Sequence, residues 1–205
     1  MATRTNQGQS TRELLLSAAR TVLNRDGASG LSTRTVAAEA GVNLSLIHYY
    51  FGSRDGLLLA VLDSVNRDLL ARQHRMYERN DLTLAQKWQQ AIDFYRKDLR
   101  SGYVRSLMEI IAHGYSNPEA AAAARALIDG WRQLLVQAAE EALARLELPG
   151  VEATEVASAI VSFWYGMEMQ HMLSTPEEEA RLWQTLDAIG GLIAKLENEH
   201  EGAAT

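Results

Sequence analysis

Cysteine is absent from the 205 residues. That removes disulfides, thiolate zinc sites and a cysteine nucleophile together. Proline occurs three times, at 118, 149 and 176, so long stretches can run as uninterrupted helix. No run of eighteen apolar residues exists, and no membrane span is expected. Lysine is scarce: Lys87, Lys97 and Lys195 are the only ones among 20 basic residues, an arginine bias of the kind GC-rich bacterial genes produce. No glycine-rich phosphate loop and no G-x-S-x-G elbow appear. The five histidines, at 48, 74, 113, 171 and 200, fall into no metal-ligand spacing. Glu168 and His171, three apart on one helix, have the spacing of half a metal site, but a solvated or internally satisfied pair accounts for them. Carboxylates are plentiful, yet they form solvated faces such as Glu177–Glu179. We therefore expect no enzyme, no catalytic residue, no metal and no cofactor.

What is present is apolar and unevenly charged. Hydrophobic residues make up 47% of the chain, enough for a packed core. The net charge is −6, but residues 1–60 hold six arginines against four acids. The remaining 145 residues hold 14 basic and 22 acidic groups. The modest positive end could meet nucleic acid weakly and in a salt-sensitive way, which the total alone would hide. The first residues, MATRTNQGQSTRE, are polar and lack an apolar signal segment, so a cytoplasmic location is expected.

Periodicity predicts about nine helices and no strand: an all-α chain. Residues 1–9 read as disordered, with Arg4 as an arm. Ser10 to Glu13 has capping-box spacing, followed by Leu14, Leu15, Ala18, Ala19, Val22 and Leu23 at helical intervals. Asp26-Gly27 and Gly30 end that helix. A long helix runs from Arg54 to about Glu78. Others span about Thr83–Arg100 and Tyr103–His113. Asn117-Pro118, a cap followed by proline at the first helical position, opens the next; it ends at Leu148-Pro149-Gly150. The last two helices cover residues 152–173 and the stretch after Thr175-Pro176-Glu177-Glu178, where a capping box and a proline coincide.

The densest information lies between Leu31 and Leu57. Ser32 or Thr33 can cap a short helix. Val36, Ala37 and Ala40 give it a small apolar stripe, and Gly41 ends it with the backbone freedom a helix C-terminus needs. Val42 plugs the turn. Asn43 caps a second short helix, Leu44 to about Tyr50. Ser53 caps the long helix that starts at Arg54. Two helices joined by a three- or four-residue turn containing glycine form a helix-turn-helix unit, whose second helix lies in the DNA major groove.

Here the string A-x-x-A-G-V (Ala37, Ala40, Gly41, Val42), with Ile47, Tyr49, Tyr50, Phe51, Arg54 and Leu57 at their spacing, resembles the N-terminal domain of TetR-type transcriptional regulators. The resemblance covers about the first sixty residues closely and the remainder only in its all-helical layout. It implies a three-helix DNA-binding domain at 1–54 and an effector-binding and dimerisation domain at 55–205. Double-stranded operator DNA, a small-molecule effector and a second copy of the chain are then the expected partners.

Within that frame, Arg34 can reach guanine O6 and N7 or hold a phosphate. Ser32 and Thr33 can offer hydroxyls or helix-terminal N–H groups to a phosphate. Asn43, Leu44, Ser45, Leu46 and His48 are the recognition-helix side chains not needed for packing, and Leu44 and Leu46 suit thymine methyl groups. The family more often carries a polar residue at Leu44 and Tyr at His48, so specificity leans on Arg34 and DNA shape. Tyr49 and Arg54 are expected phosphate contacts. For the effector, the resemblance implies a cavity among the later helices; Trp88, Tyr95, Tyr103, Met108, His113, Trp131, Trp164, Met167, Glu168 and His171 are the candidates, and an apolar, aromatic compound is the expected ligand.

Small residues Ala159, Ser162 and Gly166 share one helix edge, and Leu182, Leu186, Ile189, Ile193 and Leu196 form a heptad-like seam. Periodicity alone leaves intramolecular core and dimer interface equally open; the resemblance implies a four-helix dimer interface. An all-helical dimeric module without DNA function is the rival reading, favoured by the modest charge and by Leu44 and Leu46.

Overall fold

The computed structural model describes residues 2–148 and 150–203, and the side chains of all of these except 2–10, 28 and 201–203. Nine α-helices and no strand are found among the described residues. They are α1 (Ala2–Gly30), α2 (Thr33–Ala40), α3 (Leu44–Phe51), α4 (Arg54–Tyr77), α5 (Leu84–Arg100), α6 (Tyr103–Gly114), α7 (Pro118–Arg145), α8 (Ala153–Leu173) and α9 (Pro176–Ala203).

The disorder expected of residues 1–9 falls outside the residues described with their side chains. The side chains of Arg4 and Ser10, and Pro149 as a whole, lie outside those described. α1 breaks where Asp26-Gly27 predicted: Gly27 has φ 71°. Its buried face is Leu15, Leu16, Ala18, Ala19, Val22 and Leu23. Leu14, expected on that face, is exposed instead; one residue of rotation puts Leu16 inward in its place.

The start signals form as the sequence dictates. The Asn117 Oδ1 accepts from the Glu119 and Ala120 N–H groups at 2.9 and 3.2 Å. Thr175 N–H donates to Glu178 Oε2 at 2.8 Å, and Glu178 N–H donates back to Thr175 Oγ1.

The chain packs as two compact units, residues 1–68 with 98–124 and residues 69–97 with 125–205. Packing is a different criterion from the functional boundary expected after residue 54: it places the first half of α4, and α6, with the three N-terminal helices. In the first unit, Gly102 leads into α6 with φ 76°, a left-handed backbone that favours glycine. Tyr103 is buried and donates to Asn66 Oδ1 at 2.8 Å. Arg20 on α1 donates to Asp68 at 2.6 Å and to Ser64, tying α1 to α4.

The second unit has its own core. Leu135 of α7 packs with Ala157 and Val161 of α8, flanked by Ile128, Val136, Ile160 and Tyr165. Lys87 of α5 is 2% exposed, and its ammonium donates to Glu141 at 2.7 and 2.8 Å and to the Tyr77 carbonyl at 2.6 Å. Trp88 Nε1 donates to the Leu186 carbonyl at 3.0 Å. Gly190 makes that approach feasible, since a Cβ there would sit 3.0 Å from the Trp88 ring.

Candidate nucleic-acid interface and effector site

α2 is built by its caps. Ser32 Oγ accepts from Thr35 N–H at 3.0 Å, and Ser32 N–H donates to Thr35 Oγ1 at 2.9 Å. Threonine here does the work usually given to a glutamate in a capping box. Gly41, at φ 65°, closes the helix in the left-handed conformation, and the Val42 N–H returns to the Ala37 carbonyl at 3.0 Å. Asn43 Oδ1 accepts the Ser45 N–H at 2.9 Å and so starts α3. Val36, Ala37 and Ile47 bury the inner faces of the two helices.

Ser53 Oγ accepts the Gly56 N–H at 3.0 Å and starts α4. Arg54 Nε donates to the Leu31 carbonyl at 2.9 Å, and its guanidinium also sits 3.5 Å from Asp55. The head of α4 is thereby fastened to the segment that leads into α2.

Most of the side chains expected to meet a duplex face solvent. Arg34, Asn43, Ser45, His48, Tyr49 and Arg54 are exposed, Tyr49 by 80%. Ser32, Thr33, Leu44 and Leu46 are half-buried. The two leucines are thus partly covered by the protein itself, which lessens their oddness on this surface. His48 Nδ1 lies 3.1 Å from the Gly52 carbonyl, which fixes its ring beside the α3 C-terminus. Tyr50 and Phe51 turn half inward, and the Arg12 guanidinium lies over the Phe51 ring.

Residues 15–61 match the family described as bacterial regulatory proteins, tetR family. Residues 15–61 thus carry a tetR-family domain. Two curated relatives, both named HTH-type transcriptional regulator BetI, come from Agrobacterium fabrum and Vibrio vulnificus; each is 40% identical over 58 residues. Those residues are 28% of this chain and 28–29% of the relatives, so the match spans under a third of their length. Solved structures cover far more. The multidrug binding protein EbrR complexed with imidazole aligns over 87% of this chain and 89% of its own, with 26% identity and a TM-score of 0.60. A TetR-family regulator from Cytophaga hutchinsonii aligns over 92% and 96%, with 16% identity and a TM-score of 0.71, a likeness of fold.

The effector candidates divide between the two units. Tyr103, Met108 and His113 belong to the first. There Tyr103 is core, and His113 Nε2 lies 3.1 Å from the Asn117 amide. Trp88, Tyr95, Trp164 and His171 come together in the second. The Tyr95 ring lies 4.9 Å from Trp164 and 6.4 Å from His171, and Trp88 lies 6.0 Å from Trp164. Trp183, which the sequence reading passed over, completes the cluster at 5.8 Å from both Tyr95 and His171. Attention to the leucine seam of α9 hid it; a tryptophan four residues after Glu179 was the available signal. Met167 is buried on α8, and Trp131 is half-buried on α7.

Glu179 Oε1 accepts from Trp183 Nε1 at 3.4 Å and lies 3.6 Å from His171 Nε2. Burial, reinforced by the charges of Glu168 and Glu179, holds the Tyr95 phenol above its ordinary pKa. Tyr165 is raised in the same way by burial and Glu168.

The expected dimer seam is split by the fold. Leu186 is fully buried within the single chain, where its carbonyl accepts from Trp88 Nε1. Leu182, Ile189 and Ile193 are half-buried, whereas Leu192 and Leu196 are exposed. On α8, Ala159 and Ser162 are exposed, and a Cβ added at Gly166 would meet nothing within 4 Å.

The second unit also holds a polar pocket of about 300 Å³, lined by Asp81, Thr83, Arg145, Glu197 and His200 among others. Glu197 fills part of its role from within, accepting the Leu84 and Ala85 N–H groups at 2.6 and 2.9 Å and capping α5. Among the described residues no group of three metal-ligating side chains is found, and no helix is long and apolar enough to cross a membrane.

Proposed function

We propose that the chain is a dimeric, cytoplasmic transcriptional repressor whose α3 reads a near-palindromic operator and whose second unit binds a small apolar or aromatic effector. The observation that carries the DNA reading is the solvent-facing row of Arg34, Asn43, Ser45 and Tyr49 on a helix-turn-helix unit held rigid by its own caps. Arg34 and the α3 side chains supply base and groove contacts; Tyr49 and the N-terminus of α2 supply phosphate contacts. A dimer would set two copies of α3 about 35 Å apart, one turn of B-DNA.

Support for the effector comes from EbrR, which has also been solved with proflavin and aligns here with 26% identity and a TM-score of 0.58. An effector releases DNA only if it binds the released form more tightly than the bound form. α4, which supplies residues to both packing units, is the natural carrier of that difference.

The test is binding of the purified chain to the DNA upstream of its own gene, followed by anisotropy across salt concentrations. A shifted species that weakens as salt rises, and that Arg34→Ala and Tyr49→Phe each weaken, supports the reading. Absence of any salt-sensitive complex supports the rival, a dimeric helical module without DNA function. The half-burial of Leu44 and Leu46 is the observation that favours that rival.

A further inference from the structure

Tyr95 is 7% exposed, and its hydroxyl oxygen has no hydrogen-bond partner among the described residues. A buried hydroxyl left unsatisfied costs stability, so it calls for an explanation. Beside the Tyr95 ring stand Trp164, Trp183 and His171, and Trp88 lies against Trp164. Two carboxylates belong to the same neighbourhood: Glu179, hydrogen-bonded to Trp183, and Glu168, whose charge acts on Tyr95. Aromatic faces carry partial negative charge and attract cations, tryptophan most strongly. The structure already displays this preference, for the Arg96 guanidinium lies 4.8 Å from the Trp183 ring centroid. The other ionisable groups facing the cluster are His171, beside Glu179, and Arg132, which acts on Tyr165.

We propose that the effector is an aromatic organic cation bearing N–H donors, seated among Trp88, Tyr95, Trp164 and Trp183, with the Tyr95 hydroxyl as its hydrogen-bond anchor and Glu168 and Glu179 as its counter-charges. This rests on the effector reading above and narrows it from apolar to positively charged. The rings touch one another, so entry displaces Trp183. That residue is half-buried and lies in the second turn of α9. A ligand N–H donates to the tyrosine oxygen, while the carboxylates and π faces stabilise the charge through hydrogen bonds and cation–π contact.

The probes are 2-naphthamidine, cationic at neutral pH, and 2-naphthamide, its neutral counterpart of nearly the same shape. Calorimetric titration of the full-length protein should give saturable binding of the amidine, at least about tenfold tighter than the amide. Glu168→Gln with Glu179→Gln should reduce that discrimination to less than about threefold, with the helical circular dichroism unchanged. Tyr95→Phe should weaken both probes, the amidine more, because each offers the hydroxyl an N–H and only the amidine's is charged. The wild-type comparison needs no variant to fold. Equal binding of the two probes overturns the charge claim and leaves the effector reading standing. Binding of neither probe overturns both claims, while the DNA experiment stands apart. Discrimination that survives the double glutamine variant overturns the counter-charge assignment and with it the proposal.

Discussion

Arg54 Nε donates to the Leu31 carbonyl at 2.9 Å, joining the first residue of α4 to the strap between α1 and α2. The sequence reading gave Arg54 to a phosphate. The geometry gives it a structural task as well, because the Nε proton is already committed. Its side chain is 45% exposed, so solvent screens part of the interaction. Arg54→Ala should cost about 1 kcal/mol, the range of one partly exposed hydrogen bond. Arg54→Lys should lose the same bond, since an ammonium lacks the Nε–H geometry, while keeping the charge. Thermal melts should therefore place both variants below the wild type. DNA titrations should show Arg54→Lys binding more tightly than Arg54→Ala. Equal DNA affinity of the two would remove the phosphate role.

The buried ion pair on α5 and α7 makes a sharper forecast. Lys87 is 2% exposed and meets Glu141, which also receives Arg145 at 2.6 Å. Removing the acid leaves an ammonium stranded inside the protein; removing the lysine leaves a carboxylate still paired with an arginine. Glu141→Gln should destabilise by about 3 kcal/mol because it leaves a buried charge unpaired, and Lys87→Met by less because Glu141 is partly exposed and keeps Arg145. Denaturant midpoints of the two variants test the order. The reverse order would show that Arg145 is not a sufficient partner for Glu141.

Acid sensitivity follows from the cap of α9. The Thr175 backbone N–H, then its hydroxyl, hold the Glu178 carboxyl below its ordinary pKa of 4.5. A carboxyl depressed in the folded state stabilises it at all pH values above the unfolded pKa, and that stabilisation fades as pH falls through the lower folded value. The melting-temperature gap between wild type and Glu178→Gln should therefore be constant from pH 7 down to about 5 and shrink below 4.5. A gap that widens on acidification would contradict the cap assignment.

Local chemistry wrote most of the helix ends into the sequence. Asn43, Asn117 and Thr175 each form the caps their spacing dictated, and Gly41 takes the left-handed conformation a helix terminus needs. What could not be read was rotation and partnership. Leu14 and Leu16 are equally apolar, and only packing decides which turns inward. The burial of Lys87 could not be read, because its partner Glu141 lies 54 positions away. Nor could the pairing of Tyr103 with Asn66, 37 positions away. Non-local pairings leave no period in a sequence. The exposed row on α2 and α3 was legible for the opposite reason, since it is set by short caps and a tight turn.

The rotation of α9 also redirects the search for the dimer contact. Leu186 is buried by its own chain, so Leu186→Ala should lower stability by about 2–5 kcal/mol, whatever the association state. The α8 edge behaves differently. Gly166 faces open space in the single chain, and Ala159 and Ser162 beside it are exposed. A methyl group at 166 therefore meets nothing internally, and Gly166→Ala should favour the helix by about 1 kcal/mol. A bulky side chain there would instead obstruct the close approach of a second α8. Gly166→Trp and Ser162→Arg should shift sedimentation towards single chains at micromolar concentration while leaving the helical content intact. Because two linked half-site contacts act together, the same variants should lose operator affinity by far more than any single side-chain contact supplies. Sedimentation as a dimer in both variants would move the interface away from this edge, towards the exposed Leu192 and Leu196 of α9.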